Sequence, residues 1–122
     1  GTVITQDSAL LKGGEKTYKW GITNNKSQSM ATLGCYLLPQ GKYTKFTAST
    51  YVDEDVKADL VLDIRKDTFN GPVLKSYTLV PGETVNIEAD ITGVSKLYIT
   101  TEVKTNHETV NKFIIGEPVF MN

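Results

Sequence analysis

Thr84-Val85-Asn86-Ile87-Glu88-Ala89-Asp90-Ile91 alternates polar and apolar residues without a break. Successive side chains of an extended strand point to opposite faces, so Val85, Ile87, Ala89 and Ile91 share one side and the polar residues the other. A helix would scatter the same residues around its circumference. The segment is therefore a strand with one buried and one wetted face, the habit of antiparallel sheets.

The same period continues on both sides of it. Leu60, Leu62 and Ile64 alternate with Val61, Asp63 and Arg65, and Leu97, Ile99, Thr101 and Val103 alternate with Tyr98, Thr100, Glu102 and Lys104. Further strands are expected at 17–22, with Tyr18, Trp20 and Ile22 on one side, at 30–38, at 44–52 with Phe46 and Ala48 inward, at 73–80 and at 112–120. Gly13-Gly14, Asn24-Asn25, Pro39-Gln40-Gly41, Asn70-Gly71-Pro72, Pro81-Gly82, Thr92-Gly93 and the region of Asn106 supply turns between these runs. Nowhere do apolar residues keep the i, i+3, i+4, i+7 spacing of a crossover helix. The reading is all-β, an antiparallel β-sandwich of about eight strands, with jelly-roll and immunoglobulin-like topologies both open at this stage.

The 122 residues suit one domain, 1–122, which can bury a core without disulfide or metal staples. Thirteen Lys and Arg against fourteen Asp and Glu leave a formal charge of -1, with the basic residues scattered singly. Phosphate backbones and anionic headgroups need clustered cations, so neither nucleic acid nor membrane insertion is expected. No stretch reaches the roughly 18 apolar residues of a membrane span. Gly1 to Asp7 lacks the basic and apolar regions of a signal peptide, so the sequence reads as a piece of a larger protein with other domains. Cys35 is the single cysteine and sits in the apolar run Leu33 to Leu38, where it reads as a small buried hydrophobe.

Catalysis needs convergent reactive groups, and one His with one Cys leaves few ways to build a nucleophile and base. His107 lies in a polar turn and Cys35 in a core run. There is no G-x-S-x-G elbow, P-loop or dinucleotide fingerprint. An enzyme is not expected, and neither is a cofactor. Asp53, Glu54 and Asp55, followed by Asp59 and Asp63, are read first as a solvated acidic turn, with calcium ligation as the alternative.

Sugar sites stack a pyranose on an aromatic face and hold its hydroxyls with nearby polar side chains. The candidate ligand-binding residues are accordingly Trp20, Tyr51, Asp53, Asp55, Asn106 and His107. Trp20 and Tyr51 are the possible platforms, each set against an alternative place in the core. Asn25-Lys26-Ser27 matches a glycosylation sequon and marks an exposed turn.

From Gly41 to Asp53 the sequence reads Gly-Lys-Tyr-Thr-Lys-Phe-Thr-Ala-Ser-Thr-Tyr-Val-Asp, and Asp90-Ile91-Thr92-Gly93-Val94 is followed by Leu97. These stretches, with Leu60 to Ile64 and Val73 to Tyr77 between them, resemble the NPCBM family of bacterial carbohydrate-binding modules over about two thirds of the sequence. The family often has Gly where Tyr51 stands, and a Trp near Ile115-Gly116-Glu117-Pro118. The resemblance implies a jelly-roll β-sandwich of a secreted or cell-surface bacterial protein, an accessory domain that contacts sugar through loops at one end. The expected function is non-catalytic carbohydrate binding. The alternative is a structural or protein-interaction domain of a bacterial surface protein.

Overall fold

A computed structural model describes residues 2–24, 32–103, 110 and 112–122. The chain runs through β1 (Thr2–Thr5), β2 (Lys12–Gly13), β3 (Lys16–Thr17), β4 (Gly21–Asn24), β5 (Thr32–Leu37) and β6 (Lys45–Val52). It continues through β7 (Leu60–Lys66), β8 (Val73–Leu79), β9 (Val85–Asp90), β10 (Leu97–Val103) and β11 (Phe113–Met121). Among the described residues there is no helix long and apolar enough to cross a membrane.

A five-stranded sheet, β1-β4-β11-β6-β9, packs on a four-stranded one, β5-β10-β7-β8, while β2 and β3 form a separate hairpin. All pairings among the described residues are antiparallel. With β1 set aside, β4 to β11 supply two four-stranded sheets as interlocked Greek keys, which is the jelly roll. Seven of the eight expected strands are β5 to β11, and the first, 17–22, overlaps β4 only at Gly21 and Ile22. The short β1 and the β2–β3 hairpin were not read from the sequence.

Alternation places the core where it was expected. Phe46, Leu60, Leu62, Ile64, Leu97 and Ile99 are fully buried between the sheets, with Ile87, Ile91 and Ile115 beside them. Each such side chain contributes about 1.5–3 kcal/mol by leaving water. Cys35 packs against this cluster, and burial pushes its thiol up to about 12, so it stays protonated at physiological pH.

The N-terminal part corrects one expectation. Residues 17–22 are not one strand: the chain leaves β3 at Thr17, turns through Lys19 and Trp20, and starts β4 at Gly21. Ile22 faces the inter-sheet core, but Tyr18 belongs to a second cluster with Leu11, Tyr51 and Ile114. That cluster is the seat of the β2–β3 hairpin on the outer face of the five-stranded sheet. A period of two across Tyr18, Trp20 and Ile22 is thus coincidental.

Asn24 ends β4 and is 4% exposed. Its amide nitrogen donates to Val110 O at 3.3 Å and its amide oxygen accepts from Phe113 N at 2.9 Å, fastening the entry to β11. Asn24→Ala removes the acceptor and leaves the Phe113 amide buried without it. A loss of about 1–3 kcal/mol is expected, read as a lower urea midpoint at unchanged slope.

Candidate functional site

Two features of β6 and its surroundings make a cleft. Thr47, Ser49 and Tyr51 alternate with the core residues of β6 and so point out of the sandwich. The Tyr51 ring is covered by the hairpin: a Cβ on Gly13 would lie 2.6 Å from Tyr51 Cγ, so only glycine lets the hairpin close this tightly. Tyr51 is consequently 6% exposed, and its aromatic face is not a platform.

What remains reachable is the phenol edge. Tyr51, Asp53 and Glu54 line a cleft of about 230 Å³ with Gly14, Lys12 and Lys112. Burial, then the Glu54 and Asp53 carboxylates, raise the hydroxyl above its usual value, against an opposing hydrogen bond from the Gly14 backbone. Tyr51 therefore stays a neutral donor at physiological pH.

The walls are tied together by backbone bonds. Asp53 N donates to Lys112 O at 3.0 Å and Lys112 Nζ donates to Lys12 O at 3.1 Å, joining the β6–β7 loop, the approach to β11 and the hairpin. Asp53 Oδ1 accepts from Asp55 N at 3.3 Å and Asp53 O from Val56 N at 3.1 Å, which turns the chain tightly after β6. Gly82 N donates to Val52 O at 2.8 Å and brings the β8–β9 loop against Glu54. Among the described residues the cleft thus brings together two carboxylates, two lysines and one phenol, with the backbone segments that carry them tied to one another.

Of the residues singled out from the sequence, Tyr51 and Asp53 meet here. Asp55 follows in the same loop, exposed and outside the cleft lining. Trp20 does not join them. It is half-buried at the corner before β4, where its carbonyl accepts from Glu117 N at 3.1 Å, level with the β11 bulge between Gly116 and Val119. Following the register, Trp20 lies about 16 Å along β6 from Asp53. Asn106, His107, the turn around Asn106 and the 25–27 sequon lie outside the described residues.

Lys12, Lys112, Gly14 and Glu54 were not foreseen as partners. Isolated lysines carry no sequence signal, and only the hairpin brings Lys12 to Lys112. The acidic run disperses: Asp63 stands on β7 against Arg65, on the other sheet. Among the described residues no three His, Cys, Asp or Glu side chains converge as metal ligands.

No family model matches the sequence. No curated protein matches it either. Solved structures do. The fold is similar to that of CBM51-2 with INT domains from Clostridium perfringens ZmpB, solved in complex with GlcNAc, at TM-score 0.69 and 13% identity over 88% of this chain. It is similar to the tandem CBM51 modules of a family 98 glycoside hydrolase from Streptococcus pneumoniae, at TM-score 0.59 and 14% identity over 91%. A family 43 arabinoxylan arabinofuranohydrolase from Bacillus subtilis, in complex with cellotetraose, matches at TM-score 0.56 and 14% identity over 99%. The chain spans 23%, 35% and 24% of those three solved chains. It has the β-sandwich fold of carbohydrate-binding modules.

Proposed function

We propose that the protein is a non-catalytic carbohydrate-binding module that holds a sugar in the loop-end cleft beside Tyr51. The observation that carries this reading is the convergence of the Tyr51 phenol edge, Asp53, Glu54, Lys12 and Lys112 around one small opening. Carboxylates accept from vicinal sugar hydroxyls, ammonium groups donate to them, and the phenol does either. Backbone bonds already hold the segments that carry these groups, so the ordering required on binding is that of the Lys12 and Glu54 side chains.

The resemblance of Gly41 to Asp53 to the NPCBM family supports the same reading, as does the shared fold. Asp53 in the cleft is the one residue common to that resemblance and the site. In this proposal the domain is an accessory part of a longer bacterial protein that is secreted or displayed on the cell surface. Its role is to hold other domains near their glycan.

A glycan array probed with the labelled chain is expected to give a discrete set of binders. Asp53→Ala with Glu54→Ala should weaken them at least about tenfold while leaving the melting temperature within a few degrees, since Asp53 is half-buried and Glu54 exposed. An array without binders, or unchanged affinity in the double variant, overturns the cleft assignment.

A further inference from the structure

The outer face of the four-stranded sheet carries three aromatic rings that the core does not use. Tyr36 on β5 and Tyr98 on β10 occupy directly paired positions, their centroids 5.5 Å apart and their planes inclined by 33°. Phe69, from the β7–β8 loop, meets Tyr98 edge-on at 4.4 Å. It lies over Gly34, where a Cβ would come within 2.9 Å of its ring. Gly34 is therefore a notch in β5 that seats Phe69, so the loop aromatic is held down on the sheet. Even so, Tyr36 is 55% and Phe69 50% exposed.

Hydrogen-bonding groups border the rings. Arg65 pairs with Tyr98 on the next strand, and its guanidinium donates to Asp63 Oδ2 and to Gly71 O, each at 3.0 Å. The other Asp63 oxygen accepts from the Ser76 hydroxyl. Grooves of about 440 and 360 Å³ open on the two sides of Phe69. The first runs from Phe69 and Tyr36 round the edge of β5 to Val3 and Ile4 of β1, and the second is lined by Asp63, Arg65, Asn70, Thr100 and Glu102.

We propose that this face is a second glycan-binding surface, which takes a neutral, equatorially linked polysaccharide chain across Tyr36 and Tyr98. An equatorially substituted pyranose has flat C–H faces ringed by hydroxyls. Two tilted tyrosines in register offer a broad apolar surface for the first, and the adjoining polar row offers partners for the second. Charge selects against acidic glycans: Asp63 and Arg65 compensate each other, and Glu102 adds a negative charge to the second groove. Because packing and the ion pair already hold Phe69 and Arg65, the surface is preorganised. The proposal is independent of the cleft, which lies on the other sheet's side of the sandwich.

The test is an NMR titration of the isotope-labelled full chain with soluble mixed-linkage β-glucan, xylan and chitohexaose, with polygalacturonate as the acidic comparison. Expected are shifts at Tyr36, Tyr98 and Thr100 with at least one neutral chain and none with the acidic one. Tyr36→Ala should lower that affinity, read from the shifts of Tyr98 and Thr100, at least about tenfold. Shifts confined to the cleft would support the cleft assignment and overturn this one. Unaltered affinity in Tyr36→Ala overturns it also, as does a face that answers only to extended peptides pairing with the edge of β5 that is unpaired among the described residues. The wild-type titration decides even where the variant folds poorly.

Discussion

Gly116→Val is expected to cost about 3 kcal/mol, at the upper end of the range for overpacking, and to lower the urea midpoint accordingly. Gly116 lies in β11, opposite Gly21 on one side and Ser49 on the other. The Tyr18 ring rests directly on it, so that even a methyl group would enter the space of the ring. The ring has no freedom to yield. Tyr18 is 2% exposed, its hydroxyl is bonded to Ser49 Oγ at 2.7 Å, and Lys16 Nζ stands 4.7 Å above the ring centroid. Relief would require lifting the hairpin, with loss of the burial of Leu11 and Ile114. A variant as stable as the parent would mean that the hairpin does not sit on the sheet in this way.

The same contact shows what the sequence can and cannot disclose. Strands β6 to β10 were legible because one face of each is buried between the sheets and the other is mostly wetted, which forces the period of two, whereas β11 shows as an apolar run because Phe113 to Gly116 are buried on both faces. The hairpin was not legible, since strands of two residues hold no period and its glycines matter through what they touch. The stretch Asp90 to Leu97 was legible as a motif and now has a physical reading. The Asp90 carboxylate accepts from Thr92 N at 2.9 Å and Thr92 Oγ1 at 2.7 Å, which lowers its pKa from the ordinary value, and Gly93 takes φ 76°. Val94 and Leu97 then enter the core. Those residues specify a turn, so their match speaks for the fold.

The sites were harder to read for a related reason. Tyr51 was expected as a possible exposed face, yet its environment is set by a hairpin whose Gly13 lies 38 residues earlier in the chain. Tyr36 and Tyr98 become neighbours only through the β5–β10 register, and Phe69 joins them because Gly34 leaves room for it. Register and loop seating depend on long-range packing, which local alternation does not encode.

Tyr51 separates structure from binding through two substitutions. Tyr51→Ala removes a buried ring from the small cluster under the hairpin and is expected to cost about 3–5 kcal/mol, as for other buried aromatics truncated to alanine. Any loss of sugar binding in that variant follows from the lost hairpin, which carries Lys12 and Gly14 of the cleft. Tyr51→Phe keeps the ring over Gly13 and deletes only the hydroxyl and its bond to the Gly14 backbone, at about 0.5–1.5 kcal/mol. If the phenol edge reads a sugar hydroxyl, this quiet substitution should still weaken glycan binding about tenfold in calorimetry. The pH dependence carries the same sign: with its pKa raised above 10.0, the hydroxyl keeps its proton below that value, so its contribution should be flat from pH 6 to 9 and fall only above it. Unchanged affinity in Tyr51→Phe would remove the phenol from the site and leave recognition to Asp53, Glu54 and the two lysines.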